Sequence, residues 1–138
     1  MSFREKSAWL MALLMAAAGL YYLYIVWTAS RALGETAPAA LVIPFVLLVV
    51  VVSIAGQIVL ALSARREASA PADERERQVQ WRAGSWSGLI LATGAVLALG
   101  HFMVRADGSM LFHLVMASLI VAQIADYAFQ ILLLRRSV

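Results

Sequence analysis

Residues 39–62 read AALVIPFVLLVVVVSIAGQIVLAL, an uninterrupted apolar stretch without one charged side chain. At about 1.5 Å of rise per residue it is long enough for a hydrocarbon core roughly 30 Å thick. It carries no polar stripe, as the buried face of a soluble helix would. Three more runs resemble it, over residues 8–27, 85–103 and 110–134. Lipid offers the backbone no hydrogen-bond partners, so segments of this length must be helices; barrel strands would be about half as long and would alternate. The reading is an all-α, integral membrane bundle of four transmembrane helices, forming a single domain over residues 1–138.

The composition agrees. The chain is 63% hydrophobic with a mean hydropathy of +0.84, and its charged residues, 14% of the total, cluster between the runs. Soluble domains are closer to half apolar. A net charge of +3 does not point to nucleic acid, because the basic residues flank the spans, where membrane lipids with anionic headgroups are the simpler partner. No cysteine is present, which excludes disulfides, thiolate metal sites and thiol catalysis. The first run follows Arg4 and Lys6 as a secretory signal would. It is too long for one and carries Tyr21, Tyr22 and Tyr24 where a cleavage site needs small residues, so it is read as a retained span.

Loop charge sets the orientation. Nine Lys and Arg residues (Arg4, Lys6, Arg65, Arg66, Arg75, Arg77, Arg82, Arg135 and Arg136) lie on one side of the spans, against Arg31 and Arg105 on the other. The positive-inside rule then puts both termini and the loop of residues 63–84 in the cytosol. Trp9 and Trp81 on the inner side, and Tyr24 and Trp27 on the outer, fall where aromatic belts form. Within the loop, residues 63–72 contain Pro71 and small polar residues and are expected to be irregular. Asp73 followed by Glu76 has capping-box spacing, and Asp73 with Arg77 is an i, i+4 pair. A helix is expected to start there and to extend the third span two or three turns into the cytosol.

The segment DERERQVQWRAG, residues 73–84, resembles the signature of a family of small prokaryotic four-span inner-membrane proteins, in which a DERE-type run leads into a transmembrane helix. The opening Phe3-Arg4-Glu5-Lys6-Ser7-Ala8-Trp9 is similar to the start of related small bacterial proteins. The resemblance covers about a fifth of the chain closely. It implies a bacterial inner membrane and carries no activity with it. The two halves also share a basic–acidic–basic cluster before a Trp, at Arg4-Glu5-Lys6 and Arg75-Glu76-Arg77, and Gln-Ile pairs before their last arginines. A duplication, if present, would be parallel, unlike the inverted repeats of many transporters.

Polar residues inside the spans nominate the sites. Asp126 lies nine residues before Arg135, about 13 Å from the inner boundary, and Gln57 and Thr93 fall at similar depth, so the three share one layer. Gln123, Asp126 and Gln130 lie on one helix face, which is expected to turn toward the bundle. An ionisable group at that depth costs roughly 2.5–3.5 kcal/mol on insertion scales. Two roles follow: a proton or cation site with Gln57, Gln123 and Thr93 as coordinating groups, or a protonated or hydrogen-bonded Asp that staples helices. The small four-span multidrug exporters match only in size, because their acidic residue lies in the first helix and this first span has none.

His101 and His113 flank the short outer loop at equal depth and are the candidate ligands for haem or a transition metal, although a four-ligand zinc set is not evident. Gly84, Gly88 and Ala92 form a small-residue stripe, as do Ala8, Ala12 and Ala16. These stripes are expected to join the first and third helices, or two chains in a homodimer. Phosphate loops, nucleophile elbows and H-E-x-x-H motifs are absent from the sequence. The expectation is therefore a non-enzymatic accessory, regulatory or assembly component without a resident cofactor. A transporter centred on Asp126 and a haem or metal module at the histidines are the alternatives.

Overall fold

A computed structural model describes residues 3–63 and 73–136 of the chain. Among these residues the structure is entirely helical. α1 spans Phe3–Leu33, a 3-10 turn Ala39–Val42 leads into α2 at Ile43–Ser63, α3 spans Glu74–Arg105, and α4 spans Gly108–Arg136. All four are long and apolar enough to cross a membrane. This is a multi-pass membrane protein.

α1, α3 and α4 run past their apolar segments at both ends, whereas α2 begins inside its own, after the 3-10 turn. α1 continues six residues beyond Trp27 and stops at Gly34, whose φ of 71° lets its N–H reach back to the Ser30 carbonyl at 3.0 Å. Pro44 lies in the first turn of α2, where a missing N–H costs nothing. Asp73 caps α3. Its carboxylate accepts from the Glu74 N–H at 2.8 Å while Glu76 receives the Asp73 N–H at 3.4 Å, completing a capping box. With Asp73 so engaged, the Arg77 side chain lies 4.0 Å from Glu74 and not on Asp73, the pairing the sequence suggested. Ala106, at φ 54°, turns the chain from α3 into α4, and Asp107 then caps α4 by accepting the Met110 N–H at 3.0 Å. The irregular segment expected before Pro71 and Asp73 lies outside the described residues.

α4 is the organising helix. It packs along α3 on one flank and α1 on the other, and α2 rests against α1. Glycines set the two tight contacts. A side chain on Gly19 would meet Ile120 Cγ2 at 2.8 Å, and one on Gly94 would fall 2.6 Å from Ser118 Cβ, so α1 and α3 approach α4 through their missing side chains. The stripe proposed from the sequence does something else. Nothing lies within 4 Å of a Cβ built on Gly84 or Gly88, and Ala92 is exposed. α3 packs chiefly on α4, so the α1–α3 seam expected from the small residues is not the contact the chain makes. Both stripes are in the inner half, whereas the glycines that are used lie near the middle of α1 and α3.

The core is concentrated at the end holding the α1–α2 and α3–α4 loops. There Tyr22, Val42 and Phe45 are buried together, packed by Ile25, Phe112 and Met116 among others. The opposite end joins the termini. Arg135 Nε donates to Glu5 Oε1 at 3.0 Å, and its guanidinium lies 5.5 Å from the centre of the Trp9 ring. At the loop end, the Arg31 guanidinium lies 3.9 Å from the Trp27 ring centre.

Candidate functional site

Asp126 is half-buried on α4, where it faces α3. Gln130, one turn on, donates its amide to Oδ2 at 2.9 Å, and the Ser87 hydroxyl of α3, whose one proton is shared with the Gly84 carbonyl at 3.1 Å, reaches Oδ1 at 3.5 Å. Trp86 and Phe129, edge to face at 5.2 Å, pack the helices at the same level. Asp126 thus ties α4 to α3 through one hydroxyl and supports itself with its own helix.

The remaining members of the expected layer do not join it. Gln57 accepts the Ser7 hydroxyl at 3.1 Å, which ties α2 to α1. Thr93 is exposed and returns its hydroxyl to the Leu89 carbonyl at 2.9 Å. Gln123 is exposed, without a hydrogen-bond partner among the described residues, although it shares a face with Asp126 and Gln130. Equal spacing from the helix ends does not say which helices are neighbours. α2 lies against α1 while Asp126 faces α3, so Gln57 and Asp126 satisfy different seams.

The histidines part in the same way. His113 is 6% exposed and both of its ring nitrogens are committed: Nδ1 lies 2.7 Å from Tyr22 Oη, and Nε2 lies 2.7 Å from the Ala37 carbonyl oxygen. A carbonyl only accepts, so Nε2 carries the proton and the Tyr22 hydroxyl donates to Nδ1. A metal or haem iron at His113 would have to displace one of these bonds. His101 instead lines the groove between α3 and α4 beside Leu114, which is one residue on from His113 and therefore turned about 100° around α4. The two imidazoles do not face one another across a shared site. Among the described residues, no group of three or more His, Asp or Glu side chains is arranged to hold a metal ion.

A connection that the spacing did not disclose lies beside His113. Thr36 donates to Asp107 Oδ2 at 3.0 Å, and the next residue, Ala37, accepts from His113. Two consecutive residues of the α1–α2 loop are thereby fastened to the cap and the second turn of α4. The Asp107 carboxyl is held below its usual value, first by the Met110 N–H and then by the Thr36 hydroxyl. Thr36, Gly19 and Gly94 are the residues sequence reasoning passed over. Asp107 before an apolar run was the one readable signal, as an N-cap.

No family model, no curated protein and no solved structure matches this chain.

Proposed function

We propose that the chain is a non-enzymatic accessory or assembly component of a bacterial inner membrane, with both termini in the cytosol, that works by presenting α3 to a partner helix. The observation behind this reading is the exposure of α3. Of its 32 residues only Val79, Ala83 and Ala98 are buried, and the face bearing Gly84, Gly88 and Ala92 is open to close approach. Small residues on an unoccupied helix face let another backbone come within van der Waals reach, the main source of helix association in lipid. The cytosolic side follows from the nine-to-two distribution of basic residues, and the bacterial membrane from the resemblance of residues 73–84. The partner is a membrane protein or a second copy of this chain.

The alternatives have less support. Asp126 already has hydrogen-bond donors from Gln130 and Ser87, which suits a staple between helices, and both nitrogens of His113 are in use. The test is a photoreactive residue placed in native membranes at Ala92, with Leu48 on the exposed face of α2 as reference. A discrete protein adduct at Ala92 and none at Leu48 is expected, its mass telling self from another protein. Lipid adducts alone at both positions would end this reading.

A further inference from the structure

The face of α4 that carries Ala117 and Val121 is flanked by two open grooves. Between α3 and α4, Ile90, Leu97, His101 and Leu114 line a groove of about 450 Å³. On the other flank, Leu20 and Leu23 of α1 line one of about 380 Å³ that is almost wholly apolar. Ala117 and Val121 line both, so they form a low ridge between two parallel channels.

Two dimensions of this face match a two-chain amphiphile. From Ile90 to His101 the α3 groove runs eleven residues, about 16 Å at helical rise, which is close to half of a roughly 30 Å hydrocarbon core. It is therefore about one leaflet deep. Its polar end is at the loop end of the molecule: His101 lines the groove mouth, and Arg105, one turn farther on the same side of α3, is exposed and has no ion pair among the described residues. Asp107 is nearby and within electrostatic reach of His101, and its carboxylate accepts the Thr36 hydroxyl and the Met110 N–H, which leaves Arg105 as the cation without an ion pair among the described residues. The groove thus ends in a free guanidinium and an imidazole at headgroup level, the charge complement of a phosphate.

We infer that this face is a binding site for one anionic phospholipid of the leaflet at the loop end, its acyl chains in the two grooves astride Ala117 and Val121 and its phosphate at Arg105 and His101. The site is independent of the α3 face assigned above to a partner helix. Ordinary boundary lipid would exchange freely and take no notice of either feature.

Native mass spectrometry of the full chain, ejected from phosphatidylcholine nanodiscs doped with phosphatidylglycerol, tests this. Wild type is expected to retain one phosphatidylglycerol. Ala117→Trp, which fills the ridge between the grooves, is expected to lose it, while Val59→Trp on the exposed face of α2 retains it. Arg105→Ala, a surface change that breaks no ion pair among the described residues, is expected to weaken retention about fivefold, as one basic residue near a phosphate does. Equal retention by every variant would overturn the site in favour of boundary lipid. A loss confined to Arg105→Ala, with Ala117→Trp unaffected and normally helical, would overturn it in favour of simple surface attraction.

Discussion

Tyr22 of α1 and His113 of α4 are 91 residues apart in sequence and 2.7 Å apart in the fold, and the imidazole passes the connection on to the Ala37 carbonyl. One chain of hydrogen bonds therefore joins α1, α4 and the entrance to α2. The two rings also touch, at 6.0 Å between centres, against Phe45. Tyr22→Phe keeps the packing and leaves the His113 Nδ1 lone pair buried without a donor. The expected cost is about 1–2 kcal/mol, within the range for orphaned buried groups and interhelical bonds in membranes. Unfolding in mixed micelles, monitored by helicity, would show it. His113→Phe is expected to cost more, because it also strands the Ala37 carbonyl and the Tyr22 hydroxyl. In the double variant the Tyr22→Phe change should add little.

The contact between Gly94 and Ser118 gives a second, sharper expectation. Gly94→Ala places a methyl against the Ser118 side chain, whose own hydroxyl is tied to the Leu114 carbonyl at 2.8 Å. Overpacking of this kind costs about 1–3 kcal/mol. Removal of the opposing side chain, in Gly94→Ala with Ser118→Gly, is expected to restore part of that stability. Gly88→Ala, with nothing within 4 Å, should leave the isolated chain as stable as wild type or slightly more so, since alanine is the better helix former. A loss at Gly88 equal to that at Gly94 would contradict the assignment of packing glycines.

These two contacts show where the sequence was readable. Apolar length and the cost of unpaired backbone in lipid determine the four helices, and the Asp73–Glu76 spacing specifies the start of α3 because capping is a local geometry. Neighbour choice is different. Gly84–Gly88 and Gly19 or Gly94 are equivalent as letters, and which of them meets another helix depends on azimuth and on which loop is fastened where. The polar residues tell the same story: Gln57 meets Ser7 across the α1–α2 seam and Asp126 reaches Ser87 across the α3–α4 seam, while Thr93 turns back on its own helix. A common depth could not assemble them into one layer.

The loop fastening predicts a response to acid. Asp107 binds protons less readily folded than unfolded because it accepts the Met110 N–H and the Thr36 hydroxyl as a carboxylate. Its unfolded value is near 3.8, so its contribution is complete above that pH and is lost as the pH falls through the lower, folded value. Wild type is expected to lose stability below about pH 4 by more than Asp107→Asn does. Asparagine still caps α4 and accepts from Thr36 but does not titrate, so subtracting its profile removes the share of the other carboxylates. Identical profiles from pH 7 to pH 3 would show that the Thr36–Asp107 fastening does not form.

Asp126 separates the accessory reading from the transporter. An Asn at 126 keeps its one oxygen for the Gln130 amide and turns its NH2 to the Ser87 oxygen, which can accept while the Ser87 proton goes to the Gly84 carbonyl. If Asp126 staples α4 to α3, Asp126→Asn should change stability by less than about 1 kcal/mol and leave any cellular phenotype of the gene intact. Asp126→Leu, which orphans the half-buried Gln130 amide and frees Ser87 from α4, should cost about 1–3 kcal/mol. A proton or cation carrier behaves in the opposite order, because transport needs a group that exchanges its charge, and a neutral amide cannot. Asp126→Asn would then be stable and inactive in a flux assay with proteoliposomes, and that outcome would replace the accessory role with transport.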